Sequence, residues 1–148
     1  MKVLIIEDNS LKREKIVDFF ASKYMAEIAE AASYNSGLAA AWDERFDLLV
    51  LDMSMPTFDR SETTQGGRFR TLAGKEVATK LKNGGKLVPF VVLTGYKDFS
   101  VESKSLSIQQ IHDLLVGLGE DYKGCIVFNS ADIHWQEELK IVVESIGC

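Results

Sequence analysis

Cysteine is scarce in this chain: Cys125 and Cys148 are its two examples, and neither belongs to a C-x-x-C pair. A disulfide framework and a thiolate zinc site are therefore not indicated, and Cys125, inside an apolar run, reads as ordinary core. Positive charge is also short. Seventeen Lys and Arg against 22 Asp and Glu leave a net charge of −5, which argues against holding nucleic acid by bulk charge. No apolar run approaches the ~20 residues needed to span a bilayer. The start, MKVLIIEDN, turns acidic too early for a signal peptide. Cytoplasmic residence, without direct nucleic-acid or membrane contact, is the expectation. The first βα turn, EDNSLKRE, holds no glycine, so a dinucleotide-binding fold is disfavoured.

What the chain does have is alternation. Short apolar runs at 2–7 (KVLIIE), 26–31 (AEIAEA), 48–52 (LLVLD), 90–94 (FVVLT) and 125–129 (CIVFN) are separated by longer stretches of helical period. Four of the five runs are nearly continuous in apolar character, as in strands covered on both faces; the second is the weakest. The stretch from Ser10 to about Lys23 opens with a capping residue and is read with Leu11, Ile16, Phe19 and Phe20 on one side. Tyr34, Leu38 and Trp42 repeat every four residues, as do Ala73, Val77 and Leu81. Ile108, Ile111, Leu114, Leu115 and Leu118 form another stripe, and Trp135, Leu139, Val142, Val143 and Ile146 the cleanest. All are expected in the core. Strict β-α alternation implies right-handed crossovers and one parallel sheet with helices on both faces, in a single domain over 1–148.

Such sheets place ligands beyond the carboxyl ends of their strands. There the sequence puts Glu7 and Asp8 after the first strand, Asp52 at the tip of the third and Thr94 at the tip of the fourth. If those tips are neighbours, three carboxylates converge beside a hydroxyl. Like charges that close repel, and a divalent cation relieves them; all-oxygen donors suit Mg²⁺. A carboxylate can attack a phosphoryl donor to give an acyl phosphate, the surrounding groups mainly positioning and neutralising. Asp52 would be the nucleophile, Glu7 and Asp8 the metal ligands, and Thr94 a donor to a phosphoryl oxygen. Taken singly, Asp8 or Asn9 also reads as a helix cap and Thr94 before Gly95 as a turn residue. Asp52 is harder to explain away, because a lone carboxylate closing an apolar strand is costly unless solvated, paired or metal-bound.

These residues resemble the response-regulator receiver family. The matching pieces are VLIIEDN with the downstream Arg13, LLVLDMSMP around Asp52, and VPFVVLTG around Thr94. The resemblance implies a doubly wound, flavodoxin-like five-stranded parallel sheet of order 2-1-3-4-5. It implies Mg²⁺ held by Glu7, Asp8, Asp52 and the backbone carbonyl of Ser54, phosphorylation of Asp52 by a histidine kinase or phosphotransfer protein, and Thr94 as the switch hydroxyl. Output would pass through the face of the fourth helix, fifth strand and fifth helix to a downstream protein or a further phosphorelay step. Separately, the C-terminal helix starting near Trp135 could pack within the chain or across a homodimer. An aspartate-nucleophile phosphohydrolase is the weaker reading, since Ser54 stands where that class typically places a second aspartate.

Two departures stand out. The polar segment 57–72 (TFDRSETTQGGRFRTL) enlarges the loop that normally follows the aspartate. It is read as a solvated, disordered loop, or as a lid over the site or a docking surface that orders on phosphorylation. Around it the local charge is reversed: residues 57–82 carry Arg60, Arg68, Arg70, Lys75, Lys80 and Lys82 against Asp59, Glu62 and Glu76. The second departure is at the fifth strand, where receivers normally end in Lys-Pro. Here the chain reads CIVFNSADIHW, with Asn129 or Ser130 near the expected lysine and Phe128 a candidate for the family's switch aromatic. Lys97 or an arginine of the enlarged loop could replace that cation. A degenerate receiver-like binding module without phosphotransfer is the alternative. His112 and His134 have no partner at metal spacing and read as surface or core residues.

Overall fold

A computed structural model describes residues 1–95, 98–101 and 104–147. Lys97 and Cys148, both singled out above, lie outside the described residues. Strands β1 (Lys2–Ile6), β2 (Glu27–Ala31), β3 (Leu48–Leu51), β6 (Phe90–Thr94) and β9 (Tyr122–Val127) form one parallel sheet in the order β2-β1-β3-β6-β9. Counted along these five strands, that is the expected 2-1-3-4-5 order. Helices α1 (Ser10–Tyr24), α2 (Tyr34–Asp43), α3 (Ala73–Asn83), α4 (Ile108–Val116) and α5 (His134–Ser145) connect and follow them.

Alternation within the strands sorts the core into two layers. Leu4, Ile6, Leu49, Leu51, Phe90 and Val92 pack with α2, α3 and α4. Val3, Ile5, Leu48, Val50, Val91 and Leu93 pack with α1 and α5, where Phe19 meets Phe20 edge to ring and Trp135 at a tilt. Between β6 and β9 the register slips by one residue after Phe90 pairs with Tyr122. Gly124, at φ 129°, lies in that bulge, in a conformation other residues rarely adopt.

The helix stripes are confirmed in part. Ala73, Val77, Leu81, Ile111, Leu115, Trp135, Leu139, Val142 and Val143 are buried. Leu38, Ile108, Leu118 and Ile146 are partly buried against that core, and three expected core residues are exposed: Leu11 at 71%, Trp42 at 42% and Leu114 at 41%. Trp42 instead lies on the surface beneath the Lys86 ammonium, 4.9 Å from its ring centre. Leu11 falls off the buried face because the offset from Leu11 to Ile16 is five residues, outside the helical period. Lys12, Ile16, Phe19 and Phe20, at offsets of four, seven and eight, are the buried side of α1. Asn9, not Ser10, caps this helix, its side chain accepting from the Lys12 amide. Cys125 is partly rather than fully buried.

Two short antiparallel pairs were not anticipated. Asp98–Val101 (β7) pairs with Lys104–Ser107 (β8) between β6 and α4. Met55–Pro56 (β4) pairs with Phe69–Arg70 (β5) at the base of the enlarged loop. That loop is an extended hairpin: the Thr57 amide donates to Arg68 O, the Phe58 amide to Gly66 O and the Ser61 amide to Thr64 O. Its stem is tied to the body of the protein. The Asn35 amide donates to Thr57 O, the Ser36 hydroxyl to Asp59 Oδ1 at 2.7 Å, and the Arg70 guanidinium lies over the Tyr34 ring at 4.3 Å. The expectation of an unstructured solvated segment is thereby corrected. Polar composition hid a ladder of backbone hydrogen bonds, which needs no apolar period.

Candidate functional site

The parallel register of β1 and β3 sets Ile6 opposite Leu51. One residue further, Glu7 and Asp52 stand side by side, and the alternation carries both toward the α1–α5 layer. Asp8 follows, and oxygens of Glu7, Asp8 and Asp52 all lie within 4.8 Å of one another. Glu7 is 2% exposed and Asp52 5%, while Asp8 is partly exposed. They open into a cavity of about 630 Å³ that Ser54, Arg60 and Phe128 also line. Asp52 Oδ1 accepts from the Met53 amide at 2.8 Å. Thr94, fully buried, ends β6. Ser54 is buried and its hydroxyl donates to Thr71 O at 2.7 Å. The expected residues are therefore gathered at neighbouring strand tips. His112 belongs elsewhere, its Nδ1 sharing a hydrogen bond with the Tyr122 hydroxyl at 2.7 Å.

Burial and the neighbouring Asp52 charge push the Glu7 carboxyl up to about 7. Burial raises the Asp8 carboxyl above its usual value, against the opposing pull of Arg60. Crowded, desolvated carboxylates of this kind fit a hard divalent cation. Glu7 is the most deeply buried of the three, at 2% exposed, and its Oε2 faces a cation rather than a neutral donor.

Its close neighbour is a cation the sequence reading did not place at the site. Lys12 Nζ is 2.6 Å from Glu7 Oε2 and 3.5 Å from Asp52 Oδ1, and donates to Leu93 O at 2.7 Å. Its side chain is 9% exposed. The signal was available: a lysine on the buried stripe of α1 must find anionic partners. A second cation comes from the hairpin, where Arg60 Nη1 is 3.1 Å from Asp8 Oδ2. Arg13, quoted with the first-strand motif, donates from Nη1 to Glu7 O at 2.6 Å and so braces the turn. Phe128 is the first residue beyond β9 and lines the acidic cavity with Ser130, whereas Asn129 lines a separate cavity.

Fold and site together define a doubly wound α/β protein with an acidic pocket at the carboxyl tips of its central strands. Residues 3–116 match the family model described as the response regulator receiver domain. The chain belongs to that family, the signalling domains of two-component response regulators, whose members bind Mg²⁺ in an acidic pocket and interact with histidine kinases or phosphotransfer proteins. It is 29% identical over 143 residues to the Detocs response regulatory protein DtcB of Enterobacter cloacae, covering 94% of this chain and 95% of the relative. An uncharacterized protein of Sinorhizobium fredii, y4jR, is 24% identical, with 95% of each covered. Among solved structures, a CheY-like receiver domain protein from Methanospirillum hungatei superposes with a TM-score of 0.67 at 17% identity, covering 98% of this chain and 92% of that one. The response regulator TrrA of Thermotoga maritima, solved with Mg²⁺–BeF, gives 0.64 at 18% identity over 98% and 97%. No helix among the described residues is long and apolar enough to cross a membrane.

Proposed function

We propose that this receiver accepts a phosphoryl group on Asp52 and signals through the protein contacts that follow. The observation that carries the reading is the convergence of Glu7, Asp8 and Asp52 within 4.8 Å inside an open cavity. A carboxylate oxygen of Asp52 attacks the phosphorus of the donor. The bond from phosphorus to the donor atom breaks, and the donor, a phosphohistidine of a kinase or phosphotransfer protein, departs with the bonding electrons and takes up a proton. Glu7, Asp8, Asp52 and the backbone carbonyl of Ser54 would hold Mg²⁺, which supplies neutralising charge to the transferring oxygens. The amide of Met53, already donating to Asp52 Oδ1, holds the nucleophile in place. Thr94, at the tip of the adjacent strand, is the hydroxyl assigned to a phosphoryl oxygen. The added charge of roughly one to two units would be read by a downstream protein or a second copy of the chain.

Incubation with acetyl phosphate and Mg²⁺ tests this. The chain should gain one phosphoryl group, and Asp52→Asn should gain none while keeping its fold. Labelling that survives the substitution removes Asp52 from its role. A folded chain that takes no label from acetyl phosphate or a kinase, and binds no beryllofluoride, is instead the degenerate binding module, a reading favoured by the missing lysine of the fifth strand.

A further inference from the structure

We infer that Lys12, on the first helix, is the phosphoryl-binding cation of this receiver and that before phosphorylation it competes with the divalent cation for Glu7. This rests on the phosphoacceptor reading of Asp52 and adds to it a residue and an order of events. Lysine is absent from the tip of the last strand, where Val127 is followed by Phe128, Asn129 and Ser130. The space beside Asp52 nevertheless holds an ammonium. Lys12 Nζ arrives from the other helix of the same layer, with 3.5 Å to Asp52 Oδ1.

Three features suit it to the task. The side chain is nine-tenths buried, so its charge acts through little water. It is aimed by Leu93 O, 2.7 Å away on the strand that ends in Thr94, so a group on Asp52 would meet cation and hydroxyl from one strand tip. The ring of Phe128 lies 5.7 Å from the nitrogen, an apolar wall where another lysine would otherwise emerge. The closest contact, 2.6 Å, is with Glu7 Oε2. A divalent cation taken up by Glu7 must replace that ion pair. The freed ammonium then has Asp52, and whatever Asp52 carries, as its remaining anionic partner within 4 Å among the described residues.

The two roles predict shifts of opposite sign. Calorimetric titration at pH 8 of wild type, Lys12→Met and Lys12→Arg with Mg²⁺ alone, then with beryllofluoride at saturating Mg²⁺, separates them. For Lys12→Met, Mg²⁺ should bind several-fold tighter because a competing charge is gone. Beryllofluoride should bind about ten- to a hundredfold weaker, the scale of one lost charge-assisted hydrogen bond. Lys12→Arg should keep most of the beryllofluoride affinity. Lys12→Met affinities that fall together, or adduct binding equal to wild type, overturn the inference while leaving Asp52 as acceptor. Wild type that binds Mg²⁺ but forms no adduct overturns the phosphoacceptor reading and this inference with it. Circular dichroism of each variant confirms that a folded protein was titrated, and Lys12→Gln replaces Lys12→Met if the latter does not fold.

Discussion

Arg60 Nη1 stands 3.1 Å from Asp8 Oδ2, joining the tip of the inserted hairpin to the rim of the acidic pocket. The arginine side chain is 54% exposed, so water screens the pair and its coupling is on the scale of 0.2–1 kcal/mol. Arg60→Ala should therefore tighten Mg²⁺ binding by roughly 1.5- to 5-fold, an effect that shrinks in high salt. In wild type, added Mg²⁺ should loosen the pair and speed tryptic cleavage after Arg60. Cleavage indifferent to Mg²⁺ would show that the hairpin does not respond to the site.

Glu7 gives the metal-free protein a pH dependence of definite sign. Its carboxyl is pushed up to about 7 from 4.5 by burial and by Asp52. Between those values the folded state holds a proton that the unfolded chain has released, so this group favours folding at low pH and loses that contribution as pH rises through 7. In chelator, the urea midpoint of wild type should fall between pH 5 and 7.5 more steeply than that of Glu7→Gln. Saturating Mg²⁺ should remove the difference in slope. Equal slopes in chelator would mean that Glu7 titrates normally.

Gly74, in the first turn of α3, shows how closely that helix approaches the acceptor strand. A Cβ here would lie 2.6 Å from Asp52 O and 3.2 Å from Met53 Cα, both backbone atoms. An exposed helical Gly→Ala change normally stabilises by about 1 kcal/mol. Gly74→Ala should instead destabilise by about 1–3 kcal/mol, the cost of overpacking, and slow acetyl-phosphate labelling because the Asp52 backbone must shift. Denaturant titration and a labelling time course measure both. A gain in stability would show that the helix can move away freely.

Cys125 should be a poor nucleophile. Burial, then the negative charge of Asp52, push its thiol up to about 12 from 9. At pH 8 its thiolate fraction is about a thousandfold below that of an ordinary thiol. With Cys148 replaced by serine, iodoacetamide should label the folded protein far more slowly than the urea-unfolded chain. Comparable rates would place the thiol in open solvent.

Much of the fold was legible because a parallel strand covered on both faces is apolar at every position, a signal local in sequence. The runs around Ile5, Val50 and Val92 showed it, and the acids just beyond them marked the edge of the sheet where ligands bind. The run at 26–31 was the weakest, since its alanines read equally well as helix. The hairpin base, Met55–Pro56 with Phe69–Arg70, was hidden because it is held by backbone hydrogen bonds that polar residues make as well as apolar ones. On α1, choosing Leu11 over Lys12 followed hydrophobicity where helical spacing pointed the other way.

By itself, then, the amino-acid order determined the layering, the strand alternation and the identity of the acids at the strand tips, since each follows from neighbours along the chain. Helical spacing put Lys12 on the buried side of α1, but tertiary structure alone decided that it meets Glu7 and Asp52 and that Arg60 of the hairpin meets Asp8. A charge pair acts through space and leaves no period in the sequence. Where each ammonium or guanidinium comes to rest is fixed by how helices and hairpin pack on the sheet.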